Sequence, residues 1–228
     1  GEIVQSGVAL GGSDNIQRSS DILSLLMMQN GTKMMQNGGV TFHQIPKSLE
    51  NENYNPGLEA LRFYTDFADP AKEVYCWNKD MKNALNLFSQ GKLAIMFGYS
   101  YHLPRIKSRA PKLNFSVTNI PQIESNSQKV NYANYWMEVV SKNTEHPQEA
   151  WDFIHFATTN PENAKTYLEN TNNPTALRSL VNEQVDDTDI GVFAEQVLTA
   201  KTWYKGEKPL AAEKAMREMI DMANKGNK

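Results

Sequence analysis

The run Phe88-Ser89-Gln90-Gly91-Lys92-Leu93-Ala94-Ile95-Met96-Phe97-Gly98-Tyr99-Ser100-Tyr101-His102-Leu103-Pro104 decides how the rest of the chain is read. Gly91 follows a periodic helical stretch and can take the left-handed conformation that closes it. Lys92 to Phe97 is then a short apolar run of buried-strand type, and Gly98 ends it. Beyond stand two tyrosines, Tyr99 and Tyr101, at the carboxyl end of a strand, where open α/β sheets place their ligands. The plainer alternative is that both are loop aromatics packed on the body of the protein.

Working outward, 228 residues and 25.8 kDa allow one large domain or two small ones. Hydrophobic residues at 40% and charged residues at 21% leave material for a core and the surface of a soluble globular protein. The net charge of −3 comes with no block of like charges, so neither nucleic acid nor an anionic membrane is implied as a partner. No apolar segment is long enough to span a bilayer. Cys76 is the single cysteine, which excludes an intrachain disulfide and thiolate clusters. The chain carries no start methionine and no signal peptide, and it reads as an excised or mature fragment.

The flanks read as alternating strands and helices. Gly7-Val8-Ala9-Leu10 is strand-like, Gly11 to Asn15 is turn chemistry, and Ser19 or Ser20 caps a helix with Ile22, Leu25, Leu26 and Gln29 on one face. Arg18, Ser20 and Asp21 thus sit where a loop meets a helix N-terminus, which suits polar or anionic groups, although Asp21 and the serines also serve simply as caps. Val40 to His43 suggests an edge strand or hairpin arm. Asn55-Pro56 opens a helix carrying Leu58, Leu61, Tyr64 and Phe67, and Met81, Ala84, Leu85 and Phe88 line another, capped by Asn78 or Asp80. Trp77, just before that helix, is either a lid on the core or the wall of a site.

After the opening run, Leu113 to Val117 and Tyr132 to Val140 read as strands, with a loop or crossover at 123 to 130 between them. Asn134 falls among aromatics, where a ligand hydroxyl would satisfy it. Helices follow at 145 to 159, with Ala150, Trp151, Ile154 and Ala157 on the packed face, and after Asn160-Pro161. Val192 to Ala200 is helical, Trp203-Tyr204 is an aromatic loop, and Pro209 starts a last helix with Ala212, Met216, Met219, Ile220 and Ala223 inward. The tail from Asn224 to Lys228 is expected to fray.

Several chemistries lack their residues. No glycine-rich phosphate cradle occurs, and His43, His102, His146 and His155 do not have the spacing of a zinc helix. There is no nucleophile elbow, and Cys76 has no basic neighbour to activate it. Neither a cofactor nor a metal is called for. Asp21 and Glu138 are the one pair of carboxylates to consider for acid/base work, as in a glycoside hydrolase, which needs them about 5 to 9.5 Å apart. What remains is Tyr, Trp and Asn gathered in loops that follow strands. Flat aromatic faces against sugar rings, with amides and carboxylates on the hydroxyls, is the physics of carbohydrate binding. A protein-docking aromatic patch is a third reading.

Gly7-Val8-Ala9-Leu10-Gly11, Asp21 to Gly31, Phe88 to Gly98, Ala133-Asn134-Tyr135-Trp136, Ala150-Trp151-Asp152-Phe153 and Ala200 to Tyr204 stand together in an order that resembles the extracellular solute-binding proteins of ABC importers, of the maltose-binding-protein-like type. That resemblance implies an α/β fold: a periplasmic-binding-protein-like type II lobe, a mixed sheet flanked by helices, plus part of the second lobe. It implies that residues 1–125 and 183–228 build the C-terminal lobe. Residues 126–182 are then a remnant of the N-terminal lobe with the hinge crossings, and the rest of that lobe precedes Gly1. By position, Tyr99, Ser100 and Tyr101 resemble the wall that carries a sugar-stacking aromatic, and Trp203 or Tyr204 the second platform. Arg18, Ser20 and Asp21 match a loop that reaches the ligand, and Asn134 and Trp136 the strand that crosses between lobes. The resemblance implies a non-enzymatic, extracellular or periplasmic monomer, with a place for a lipid anchor at the missing N-terminus, that hands a carbohydrate or similar small polar solute to the permease subunits of an ABC importer.

Overall fold

The computed structural model describes residues 3–124 and 129–226. Strand β1 (Ser6–Val8) leads through a turn to helix α1 (Ser19–Gln29), and the hairpin β2 (Met35–Gln36) and β3 (Gly39–Val40) follows. Asn37 and Gly38 both have positive φ, 51° and 78°, the pattern a tight two-residue hairpin needs. After a 3-10 turn at Lys47–Glu52 comes α2 (Pro56–Asp66), then α3 (Ala84–Ser89), β4 (Leu93–Ile95) and α4 (His102–Arg109). Among the described residues the next element is β5 (Asn131–Tyr132). Helices α5 (Pro147–Thr159), α6 (Pro161–Thr171), α7 (Arg178–Gln184) and α8 (Gly191–Gln196) precede β6 (Ala200–Lys201) and the long α9 (Pro209–Asn224). Among the described residues no helix is long and apolar enough to cross a membrane.

Two parallel pairs organise the chain. Strand β1 lies beside β4, with Ser6 opposite Leu93 and Val8 opposite Ile95, and β5 lies beside β6 in register Asn131 to Ala200. The fold is α/β, but in place of one mixed sheet the described residues hold three separate two-stranded sheets. Among the described residues β4 has a ladder partner on one side only, and Leu93 is buried while Ile95 is exposed, which corrects its reading as a strand buried throughout.

The core gathers α1, α2, α9 and the β1–β4 pair around Leu23, Met27, Tyr64, Trp77 and Ile220, all nearly inaccessible. Its polar tips are satisfied: the Tyr64 hydroxyl donates to the Gly12 carbonyl at 2.7 Å and the Trp77 indole to Asn15 Oδ1 at 3.0 Å. Gly12 is required there, since a Cβ would come within 2.9 Å of the Trp77 ring nitrogen. Helix caps follow local chemistry, with Asn55 accepting from Gly57 and Leu58 and Asn160 from Glu162 and Asn163.

Several boundaries differ from the sequence reading, for identifiable reasons. The N-cap of α1 is Arg18, in the left-handed conformation at φ 58° and ψ 31°, because Ser19 spends its hydroxyl on the Ser13 carbonyl. Helix α3 starts only after Asn83, whose side chain accepts from Leu85, so Met81 lies before it. Helices α4 and α7 carry too few periodic apolar positions to be seen in the sequence. Leu113 to Val117 is irregular and the strand expected over 132–140 ends at Tyr132, since a strand needs a ladder partner and neither run has one among the described residues. Helix α5 has no buried residue at all: Ala150, Ile154 and Ala157 are half-buried, and Trp151 is exposed. Part of the crossover at 123–130, the boundary proposed at 125 and the last two residues of the fraying tail lie outside the described residues.

Candidate functional site

The carboxyl end of β4, the N-terminus of α1 and the segments following β5 and β6 meet at Asp21. This aspartate is 2% exposed. Its Oδ2 accepts from the Tyr99 hydroxyl at 2.9 Å and from Asn134 Nδ2 at 3.2 Å, while Oδ1 takes Lys205 Nζ at 3.1 Å. Three donors from three segments distant in sequence therefore converge on one carboxylate. Lys205 continues the chain to Glu213 of α9 at 2.8 Å, and Glu213 lies 3.8 Å from Arg18. Arg18 is in turn influenced by the neighbouring Tyr101 side chain.

The electrostatics follow from burial and pairing. Desolvation opposes the Lys205 charge, yet Glu213 and Asp21 outweigh it and hold its pKa above the ordinary lysine value. Tyr99 is pushed strongly upward, first by burial and then by the neighbouring Asp21 charge, so it stays a hydroxyl donor. Tyr132 is raised for the same two reasons, and Lys205 Nζ stands 5.9 Å from its ring centroid. The Tyr101 side chain, before any other neighbour, holds the Arg18 guanidinium above its usual value. Each group is thereby kept in its ordinary protonation state.

On the outward side of this network lies an aromatic platform. Tyr99 and Tyr101 stack with centroids 5.8 Å apart and planes at 19°. Tyr101 also lies 4.2 Å from the His102 ring, and Arg105 stands 5.3 Å over its face. Tyr101 remains 37% exposed, so the platform presents an open aromatic edge with polar groups behind it.

The structure thus brings together Asp21, Arg18, Tyr99, Tyr101 and Asn134. Trp203 is one helical turn away, its indole donating to Ser24 Oγ at 3.1 Å while its ring packs on the core. Ser20 is buried in the first turn of α1. Tyr204 and Trp136 are not drawn in: they are 66% and 98% exposed. Trp77, open in the sequence between a lid on the core and the wall of a site, and counted with the candidate ligand contacts, is wholly buried in the core on Asn15. Lys205, Glu213, Tyr132 and His102 belong to the cluster but were missed. In the sequence Lys205 is one cation in a polar loop and Glu213 one acid on an amphipathic helix, and no local pattern marks either. Among the described residues no group of three or more metal-ligating side chains forms. Asp21 and Glu138 do not make an acid/base pair as they stand: Asp21 is enclosed by its three donors and Glu138 is exposed.

Strand β4 thus leads to two tyrosines beside a polar, enclosed carboxylate. The model of the bacterial extracellular solute-binding proteins matches residues 16–192, more than half of the chain. The chain belongs to this family. Its fold is shared with an ABC transporter solute-binding protein from Thermotoga lettingae TMO bound with α-D-tagatose, at a TM-score of 0.67 and 16% identity over 97% of this chain and 55% of that one. It is likewise similar to a cyclo/maltodextrin-binding protein complexed with maltotetraose (TM-score 0.70, 14% identity, 98% of this chain, 55% of that). A third relative is the maltotriose-binding protein of Thermus thermophilus, bound with maltotriose (TM-score 0.54, 14% identity, 100% of this chain, 63% of that). The chain spans a little over half the length of these solved structures. No curated protein sequence matches it.

Proposed function

We propose that this chain supplies one wall of a cleft that captures a carbohydrate or similar small polar solute outside the membrane, for delivery to an ABC-type importer. The observation that carries the reading is the Tyr99–Tyr101 platform at the carboxyl end of β4, an aromatic face backed by the Asp21 network. A sugar ring offers an apolar face to such a platform and hydroxyls to the polar groups around it. The three similar structures each hold a sugar, which supports the ligand class. The family is one of binding proteins, and no observation favours the hydrolase reading.

The lobe layout is part of the same proposal. Residues 1–125 and 183–228 form the C-terminal lobe, and 126–182 belong to the other lobe, with β5 and β6 as two neighbouring hinge crossings. In support, α9 packs on α1 and α2, whereas α5 packs chiefly on α6. An acyl anchor on the whole protein would keep it beside its permease.

Isothermal titration calorimetry of the protein with maltotriose, maltotetraose and tagatose, extended to a wider sugar panel, tests the function. Saturable heat with at least one sugar, lost in Tyr101→Ala, is the expected result. Turnover of a glycoside, or no heat with any sugar in the full-length protein, overturns it.

A further inference from the structure

We propose that His102 is a positioning residue for the Tyr99–Tyr101 platform: its imidazole ties the platform backbone to the loop that delivers Arg18 and Asp21. The residue opens α4 and is only 4% exposed. Its Nδ1 accepts the Tyr99 backbone N–H at 3.0 Å. A backbone N–H can only donate, so Nδ1 carries no proton, and the proton of the neutral ring is on Nε2. Nε2 stands 2.8 Å from Gln17 Oε1, which accepts it. Gln17 directly precedes Arg18, so one ring spans the loop before α1 and the loop after β4.

Two further features are built around this ring. A Cβ on residue 98 would lie 3.3 Å from Nδ1, so the glycine there leaves the imidazole room to reach the Tyr99 amide. The Tyr101 ring rests on the imidazole at 4.2 Å between centroids. His102 therefore supports one tyrosine through its backbone and the other through its ring.

The arrangement depends on a neutral ring. The titratable and charged groups around it are Tyr99 and Tyr101 from the loop, Arg105 from α4 and Arg18 from the loop before α1. Burial holds the His102 pKa down at about 4; the Tyr99 carbonyl pulls the other way, and Arg105 and then Arg18 add smaller downward contributions. That carbonyl lies 3.3 Å from Nδ1. A proton arriving on Nδ1 would turn to it and release the Tyr99 amide.

The inference rests on the proposed function only where it says what the platform is for, and its test needs no ligand. In the unsubstituted protein at pH 7, nitrogen NMR of the His102 ring is expected to show Nδ1 unprotonated and Nε2 protonated. His102→Phe, which keeps the packing and removes the acceptor, should speed exchange of the Tyr99 amide hydrogen about tenfold or more. His102→Asn puts an acceptor where Nδ1 sits and should restore protection to within about threefold of wild type, whereas His102→Gln should not. A protonated Nδ1 at neutral pH, or a Tyr99 amide as protected in His102→Phe as in wild type, overturns the assignment. Absence of sugar binding in calorimetry would overturn the proposed function and leave this one standing.

Discussion

Two regions of this chain are built from the same kind of residue and end in opposite states. Around α1, α2 and α9, Tyr64 and Trp77 are wholly enclosed and their polar atoms are paired. Along 135–167, Tyr135, Trp136, Trp151, Phe153, Phe156 and Tyr167 stand 46% or more exposed. Helical spacing and aromatic content are alike in both. What differs is the number of elements brought to bear on each: three helices and a strand pair contribute to the core that holds Trp77, while α5 has chiefly α6 beside it. An amphipathic pattern states that a face is apolar, and only the surrounding chain supplies the surface that covers it.

The sharpest way to break this contrast is truncation on each side. Trp77→Ala should lower unfolding stability by about 3 to 5 kcal/mol, as for a large side chain removed from a packed core. Trp136→Ala should change it by less than about 0.5 kcal/mol. Urea unfolding measures both, and similar losses would show that the outer segment is packed in solution.

Next in size is the charge network at the N-terminus of α1. Lys205→Met leaves the buried Asp21 and the half-buried Glu213 without their shared cation, at a cost of about 3 kcal/mol. The same change made together with Asp21→Asn should cost less than the sum of the two single changes, which a double-mutant cycle reads directly.

A smaller effect is expected from pH. His102 has a folded-state pKa of about 4, below the free value of 6.5, so the folded protein binds fewer protons than the unfolded chain between these limits. Its contribution to stability is complete above about pH 6.5 and declines as the pH falls toward 4. The difference in stability between wild type and His102→Asn should narrow over that window, and a constant difference would show that the ring does not titrate there.

The smallest expected effect separates the platform from its support. Tyr101→Ala, at a partly exposed ring, should cost less than about 1 kcal/mol of stability while removing sugar binding. Trp203→Ala should lower both, because that indole packs on the core and bonds Ser24. Thermal unfolding beside calorimetry tells the two apart.

Much of the site was legible because its markers are local. Gly91, the apolar run to Phe97, Gly98 and the paired tyrosines can be read in order, although the strand itself ends at Ile95, short of Gly98. The loop before α1 could also be picked out, since a polar turn ahead of an apolar periodic stretch announces a helix start. Trp77 was left open between core and cleft, because a single aromatic before a helix fits both, and its partner Asn15 lies 62 positions away. Lys205, Glu213 and His102 were passed over because their meaning is entirely relational. A lysine in a loop is unremarkable until Asp21 and Glu213 close on it from 184 and 8 positions away.

For the stretch from Phe88 to Pro104, sequence alone determined a helix stop, a strand and a tyrosine pair in a following loop, since backbone preference and hydrophobic periodicity act within a few residues. It was the tertiary structure that decided which atoms those tyrosines meet. Tyr99 reaches Asp21 only because β4 lies parallel to β1 and so sets its carboxyl end beside the N-terminus of α1. Asn134 and Lys205 meet the same carboxylate only because β5 and β6 run side by side. Contacts between segments distant in sequence depend on how the strands pair, and strand pairing is the one property that no local pattern carries.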